Sequence, residues 1–91
     1  MKGIDMQFVT DNPADNYATS DFLEICYLLA KNAKLVSATR DAQIDRVVFA
    51  FFDNKVCKKL IYDLTLGNDD VSASRFMEAI RRTKKLIQTN R

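Results

Sequence analysis

Apolar residues along this chain fall into three stretches with helical spacing and two short runs with strand character. The clearest run is Val47-Val48-Phe49-Ala50-Phe51-Phe52, six apolar residues in succession that stop at Asp53-Asn54. Its shortness, its β-branched and aromatic content and its polar boundary predict a strand. Alternation puts Val47, Phe49 and Phe51 on one face and Val48, Ala50 and Phe52 on the other, so both faces need cover. Upstream, Phe22, Ile25, Cys26, Leu29 and Ala33 recur at i, i+3, i+4 and i+7 spacing, which predicts a helix from about Ser20 to Lys31. Leu23, Tyr27, Leu28 and Ala30 widen its apolar stripe, so this helix should be buried on more than one side. Thr19, Ser20 or Asp21 can cap it, Asp21 and Glu24 stand at capping-box spacing, and Asn32 suits the left-handed turn that ends a helix.

The remaining pattern extends this picture in both directions. Lys34 to Thr39 reads as a strand, joined through Arg40-Asp41-Ala42-Gln43-Ile44-Asp45 to the strand from about Arg46 to Phe52, and the two should form an antiparallel hairpin. Asp53 can cap a second helix, from about Asn54 to Leu64, with Val56, Cys57, Leu60, Ile61 and Leu64 as its apolar stripe. Gly67-Asn68-Asp69-Asp70 breaks the chain, and Ser72 or Ser74 caps a third helix with Phe76, Ile80, Thr83 and Ile87 on its inner face. Residues 1–17 carry the turn-forming run Asp11-Asn12-Pro13-Ala14-Asp15-Asn16 and read as a flexible or partly ordered segment outside a single domain of residues 18–91. Within that segment Met6-Gln7-Phe8-Val9-Thr10 is either a leader or an extra N-terminal strand at a sheet edge. The fold expected is α+β, a small antiparallel hairpin sheet packed with three helices in the order α-β-β-α-α.

The runs Ala18-Thr19-Ser20-Asp21-Phe22-Leu23, Tyr27-Leu28-Leu29-Ala30-Lys31, Val48-Phe49-Ala50-Phe51-Phe52-Asp53, Arg75-Phe76-Met77-Glu78-Ala79-Ile80-Arg81 and Lys84-Lys85-Leu86-Ile87 resemble a family of small bacterial and phage domains of unknown function. The likeness covers roughly residues 17–88 and consists mainly of core and cap positions. Where that family tends to carry glycine after the first helix, this chain has Asn32. The resemblance supports the element order and implies no activity.

Composition narrows the function classes. The chain of 91 residues is 47% hydrophobic and 29% charged, which suits one globular domain with a modest core. A two-stranded hairpin alone is marginal in water, and the two-faced strand adds to the case for a homodimer in which two hairpins share one sheet. No histidine is present, which removes Ser-His-Asp and Cys-His catalysis and the commonest metal ligand. Cys26 and Cys57 form no CxxC pair and fall on apolar helix faces, as structural thiols do. Asp69 and Asp70 could contribute to a magnesium site, but the longer alternating series of a calcium loop is missing and turn or cap roles fit them better. With only Gly3 and Gly67 there is no glycine-rich phosphate loop. Neither an enzyme nor a cofactor is expected. The N-terminus lacks the apolar core of a signal peptide, and no segment approaches the roughly 18 apolar residues of a membrane span, so a cytoplasmic location without membrane contact is expected.

Charge points to one place. The net charge is only +2, yet the third helix carries Arg75, Arg81, Arg82, Lys84 and Lys85, with Arg91 beyond, against the single acid Glu78. Most of these lie opposite Phe76, Ile80 and Ile87 on a helical wheel and form an exposed stripe that could follow a phosphate backbone. Arg75, Arg81, Arg82 and Lys85 are therefore the candidate nucleic-acid-binding residues, and Lys55, Lys58 and Lys59 would extend the patch if the second helix lay beside the third. A solvated helix whose cations suit the negative end of its dipole is the simpler account of the same residues. Base stacking on Phe49, Phe51 and Tyr27 is disfavoured because their neighbours are apolar rather than basic, and core packing suits them better. The leading expectation is a non-enzymatic binding or regulatory module that engages nucleic acid. The alternative is a protein-interaction or structural module.

Overall fold

A computed structural model describes residues 15–68 and 70–91. Six elements follow in the order β1 (Asn16–Thr19), α1 (Phe22–Ala30), β2 (Leu35–Asp41), β3 (Arg46–Phe52), α2 (Asn54–Leu66) and α3 (Ala73–Thr89). This is the α+β fold expected, with three helices and an antiparallel sheet, and its order is β-α-β-β-α-α. A strand does precede α1, but at Asn16–Thr19, where turn and cap residues were expected; the segment considered for an extra strand, Met6–Thr10, lies outside the described residues. β3 is the central strand of a sheet ordered β1-β3-β2, as a strand apolar on both faces should be. β1 pairs with it antiparallel from Asn16 opposite Phe52 to Thr19 opposite Phe49. Asn16 and Tyr17, the last two residues of the segment read as flexible or partly ordered, are thus paired in the sheet. Four residues are too few to show alternation, and only the distant β3 reveals them as a strand. No helix among the described residues is long and apolar enough to cross a membrane.

The alternation of β3 is realised as the sequence implies. Val47, Phe49 and Phe51 are buried, while Val48, Ala50 and Phe52 are half-buried on the opposite face. In β2, Leu35 opposes Phe51 and Ala38 opposes Phe49 on the inner face, whereas Ser37 and Thr39 oppose Ala50 and Val48 on the outer one. A bulge between Leu35 and Ser37 inserts Val36, so two residues three apart, Leu35 and Ala38, share one face. The hairpin runs two residues further than expected, because Arg40 and Asp41 still pair with Val47 and Arg46. Its loop is held locally: Asp41 accepts from the Gln43 amide at 2.9 Å, and Arg40 is ion-paired to Asp45, which takes a left-handed φ of 55°.

α1 lies under the inner face. Ile25 to Ala30 are all buried, since the sheet covers one side, α3 packs along another and α2 touches a third. Asp21 is its N-cap and accepts from the Glu24 amide at 3.0 Å. The reciprocal half of a capping box is given up. Glu24 Oε1 instead accepts from the Tyr17 hydroxyl at 2.8 Å and from Thr19 Oγ1 at 2.9 Å, tying β1 to the helix that follows it. α1 ends as expected at Asn32, with φ of 66°; the Asn32 amide donates to Leu29 and the Ala33 amide to Leu28, the pair of bonds of a Schellman turn.

Asp53, in the left-handed region at φ of 71°, caps α2 through the Val56 amide, and Gly67 at φ of 73° closes it. Cys57, Leu60, Ile61 and Leu64 face inward, but Val56 is 52% exposed. It was expected in the stripe; each residue turns 100° from the last, and with Cys57 at the centre Val56 falls off the edge. Ser72 caps α3 through the Arg75 amide at 3.2 Å. Against α1 this helix presents small residues. Ala79 is nearly buried, and Thr83 is fully buried, accepting from the Cys26 thiol at 3.5 Å.

Three groups near this core are held protonated, chiefly by burial. Burial, aided by Glu24, pushes the Tyr17 hydroxyl up to about 12; burial and then Asp53 push the Cys57 thiol up to about 11; the Cys26 thiol is raised by burial as well. In the unfolded chain all three ionise at lower pH, so the folded state binds the extra protons and stability falls as pH rises. The contribution is complete below about pH 9, where the unfolded thiols begin to ionise, and is lost between about pH 9 and 12. Urea titrations across that range should show a falling midpoint; a midpoint constant to about pH 11 would overturn the assignment.

Candidate interface on the third helix

α3 spans 17 residues, about 25 Å at the usual helical rise. Phe76, Ala79, Ile80, Thr83, Leu86 and Ile87 form the face turned to the protein, as their burial shows. Directly opposite are Arg81 and Lys85, one turn apart and exposed, with Lys84 on one flank. Arg75 and Arg82, two turns apart, occupy the other flank, beside the C-terminal end of α1. The cations thus form an arc around the helix rather than one line. Glu78 pairs with Arg81 at 3.5 Å with both side chains well exposed, an attraction of a few tenths of a kcal/mol that leaves Arg81 free to engage another anion.

Arg75 has a second task. Its Nη1 donates to the Ala30 carbonyl at 3.2 Å, one of the carbonyls that a helix end leaves without an intrahelical partner. This bond holds the guanidinium at the rim of a cleft of about 180 Å³ between the end of α1 and α3. Leu29 and Ala79, both nearly buried, form its apolar base, and the exposed Asn32, Arg75, Glu78 and Arg82 stand around it. Sequence reasoning missed this cleft. Asn32 and Arg82 are fifty residues apart in number, and only the packing of α3 on α1 joins them; the small side chain of Ala79 on an inner face was the one local sign.

The other candidates separate from this site. α2 packs on β1, β3 and α1, whereas α3 packs on α1, so Lys55, Lys58 and Lys59 lie on a different part of the surface; Lys59 pairs with Asp63 at 3.2 Å. Phe49, Phe51 and Tyr27 are buried in the core, where they were expected. Both cysteines are buried and free, and the Cys57 thiol donates to the Phe52 carbonyl. Among the described residues no group of three or more acidic or cysteine side chains could hold a metal ion. Asp69, one half of the acidic pair considered for magnesium, lies outside the described residues.

Two comparisons give no match: neither a curated protein nor a solved structure matches the chain. A family model does match. It is described as Domain of unknown function (DUF5659) and covers residues 14–89, which take in all six elements from β1 to α3.

Proposed function

We propose that this chain, which belongs to the DUF5659 family, is a small non-enzymatic binding module that engages nucleic acid through α3. The observation that carries the reading is the distribution of charge. Five cations and one acid occur between Ala73 and Thr89 in a chain whose overall charge is only +2, so the rest of the protein is net acidic. Such polarity steers a polyanion to one side of the molecule. Arg81, Arg82, Lys84 and Lys85 are exposed there, and arginine forks suit phosphate oxygens.

Replacing Arg81, Arg82 and Lys85 together with glutamine should weaken nucleic-acid binding on the order of 10- to 100-fold near 0.1 M salt. It should also flatten the plot of log affinity against log salt by about 2–3, since each neutralised phosphate contributes roughly 0.9 to the slope. Fluorescence anisotropy over a salt series measures both quantities. Unchanged affinity with an unchanged slope rejects the reading. The fold is expected to survive, because exposed substitutions usually stay within about 0.5 kcal/mol.

A second reading, protein interaction through self-association, is favoured by the outer face of the sheet. There Val48, Ala50 and Phe52 remain half-exposed beside Ala18, Ser37 and Thr39. The third strand removes part of the original reason for a homodimer, that a lone hairpin is marginal. The half-exposed apolar residues of this face, among the described residues, are what still supports one.

A further inference from the structure

We propose that the cleft between the end of α1 and α3 receives a single unpaired nucleobase, so that the interface prefers single-stranded to duplex nucleic acid. The inference rests on the reading of α3 as a nucleic-acid interface and specifies what form of nucleic acid it takes.

Size decides first. At about 180 Å³ the cleft is below the roughly 300–1,000 Å³ of sites that enclose a whole small molecule, and it suits one ring or one small group. Lining decides next. A phosphate is the obvious guest for two arginines, but Leu29 and Ala79 give this cleft an apolar base, and Glu78, whose carboxylate pairs with Arg81, lines its rim with Arg75 and Arg82. An apolar base is a poor bed for a phosphate, which must lose its hydration there, and a neighbouring carboxylate repels it. A nucleobase meets the same surroundings differently. Its ring is satisfied by apolar contact and by guanidinium planes, on which unpaired bases commonly stack, while Asn32 and Glu78 supply hydrogen-bonding groups for its edge.

The arginines are also suited to unequal parts. Arg75 is held at the rim by its bond to the Ala30 carbonyl and so offers a fixed surface. The Arg82 side chain makes no hydrogen bond or ion pair among the described residues and can close over a guest from the same side of α3. The phosphates on either side of an inserted base would then meet Arg81 and Lys85, one turn away on the outer surface. A base inside a duplex is stacked and paired, and reaches such a cleft only at the cost of leaving the helix.

The test compares a short oligothymidylate with a duplex of equal length, for the wild-type chain and for Arg82→Lys. That substitution keeps the charge and removes the planar fork. Wild type should bind the single strand about tenfold more tightly, the range expected when one base is stacked on protein. Arg82→Lys should lose most of that preference while its salt slope stays unchanged. Equal wild-type affinity for both forms, or a preference that Arg82→Lys leaves intact, overturns the cleft proposal and leaves the α3 interface standing. Binding to neither form overturns both.

Discussion

Phe49→Ala is expected to remove about 3–5 kcal/mol of stability and to lower the melting temperature by roughly 15–30 °C. The ring is fully buried at the centre of the central strand, flanked by Thr19 on β1 and Ala38 on β2 in the register of the sheet. Its neighbours across the strands are small or polar, and cannot expand into the space it leaves. A domain of this length holds about 5–14 kcal/mol in all, so the variant keeps little margin at physiological temperature. Phe52→Ala supplies the comparison. Phe52 belongs to the same strand but to the half-exposed outer face, and losing it should cost on the order of 1 kcal/mol in a monomer. Urea and thermal denaturation of the two variants measure the difference. Equal losses, together with a dimer by light scattering, would mean that a second copy covers the outer face; equal losses in a monomer would refute the division of the sheet into inner and outer faces.

The second large effect is expected at Thr83. This side chain is fully buried, with 0% of its surface exposed, and sits where α3 lies against α1, beside the buried Ala79. Thr83→Lys would either carry an unpaired charge into the helix interface or lever α3 off α1, and about 3 kcal/mol or more should be lost. Thr83→Val keeps the volume and removes only the hydroxyl that accepts from the Cys26 thiol. A thiol is a weak donor, so this change should cost under about 1 kcal/mol. Urea denaturation of both variants separates the two contributions. If valine proved as harmful as lysine, the hydrogen bond rather than the close fit would be what holds the helices together. Because the basic arc rides on α3, loss of this contact should also displace the proposed interface.

Features that depend on a few adjacent residues were legible in the sequence. Asp21, Asp53 and Ser72 each cap a helix through the amide three positions on, and Asn32 and Gly67 each take the left-handed turn that ends one. These are local bargains between a side chain and its own backbone. The two faces of β3 were legible for the same reason, since alternation needs no partner to be seen. What escaped depends on distant residues. β1 is recognisable only beside β3, and Glu24, read as half of a capping box, spends its carboxylate on Tyr17 and Thr19 of that strand. Arg75 could be identified as a cation on a basic helix. Its bond to Ala30, and the cleft this bond borders, follow from helix packing that no spacing rule encodes.

The bulge in β2 works against polymerisation strand by strand. Among the described residues β2 and β1 are the two edges of the sheet, and an open edge is a template on which further strands can add without limit. Val36 interrupts the regular ladder of one edge, and Arg40 adds an exposed charge on that same strand, while the other edge is only four residues long. Neither rim offers a long, flat row of backbone groups to a stranger. Growth strand by strand is thus discouraged on both sides, which leaves the faces as the surfaces through which copies of this domain could meet, and a face that meets its own like about a two-fold axis closes at two.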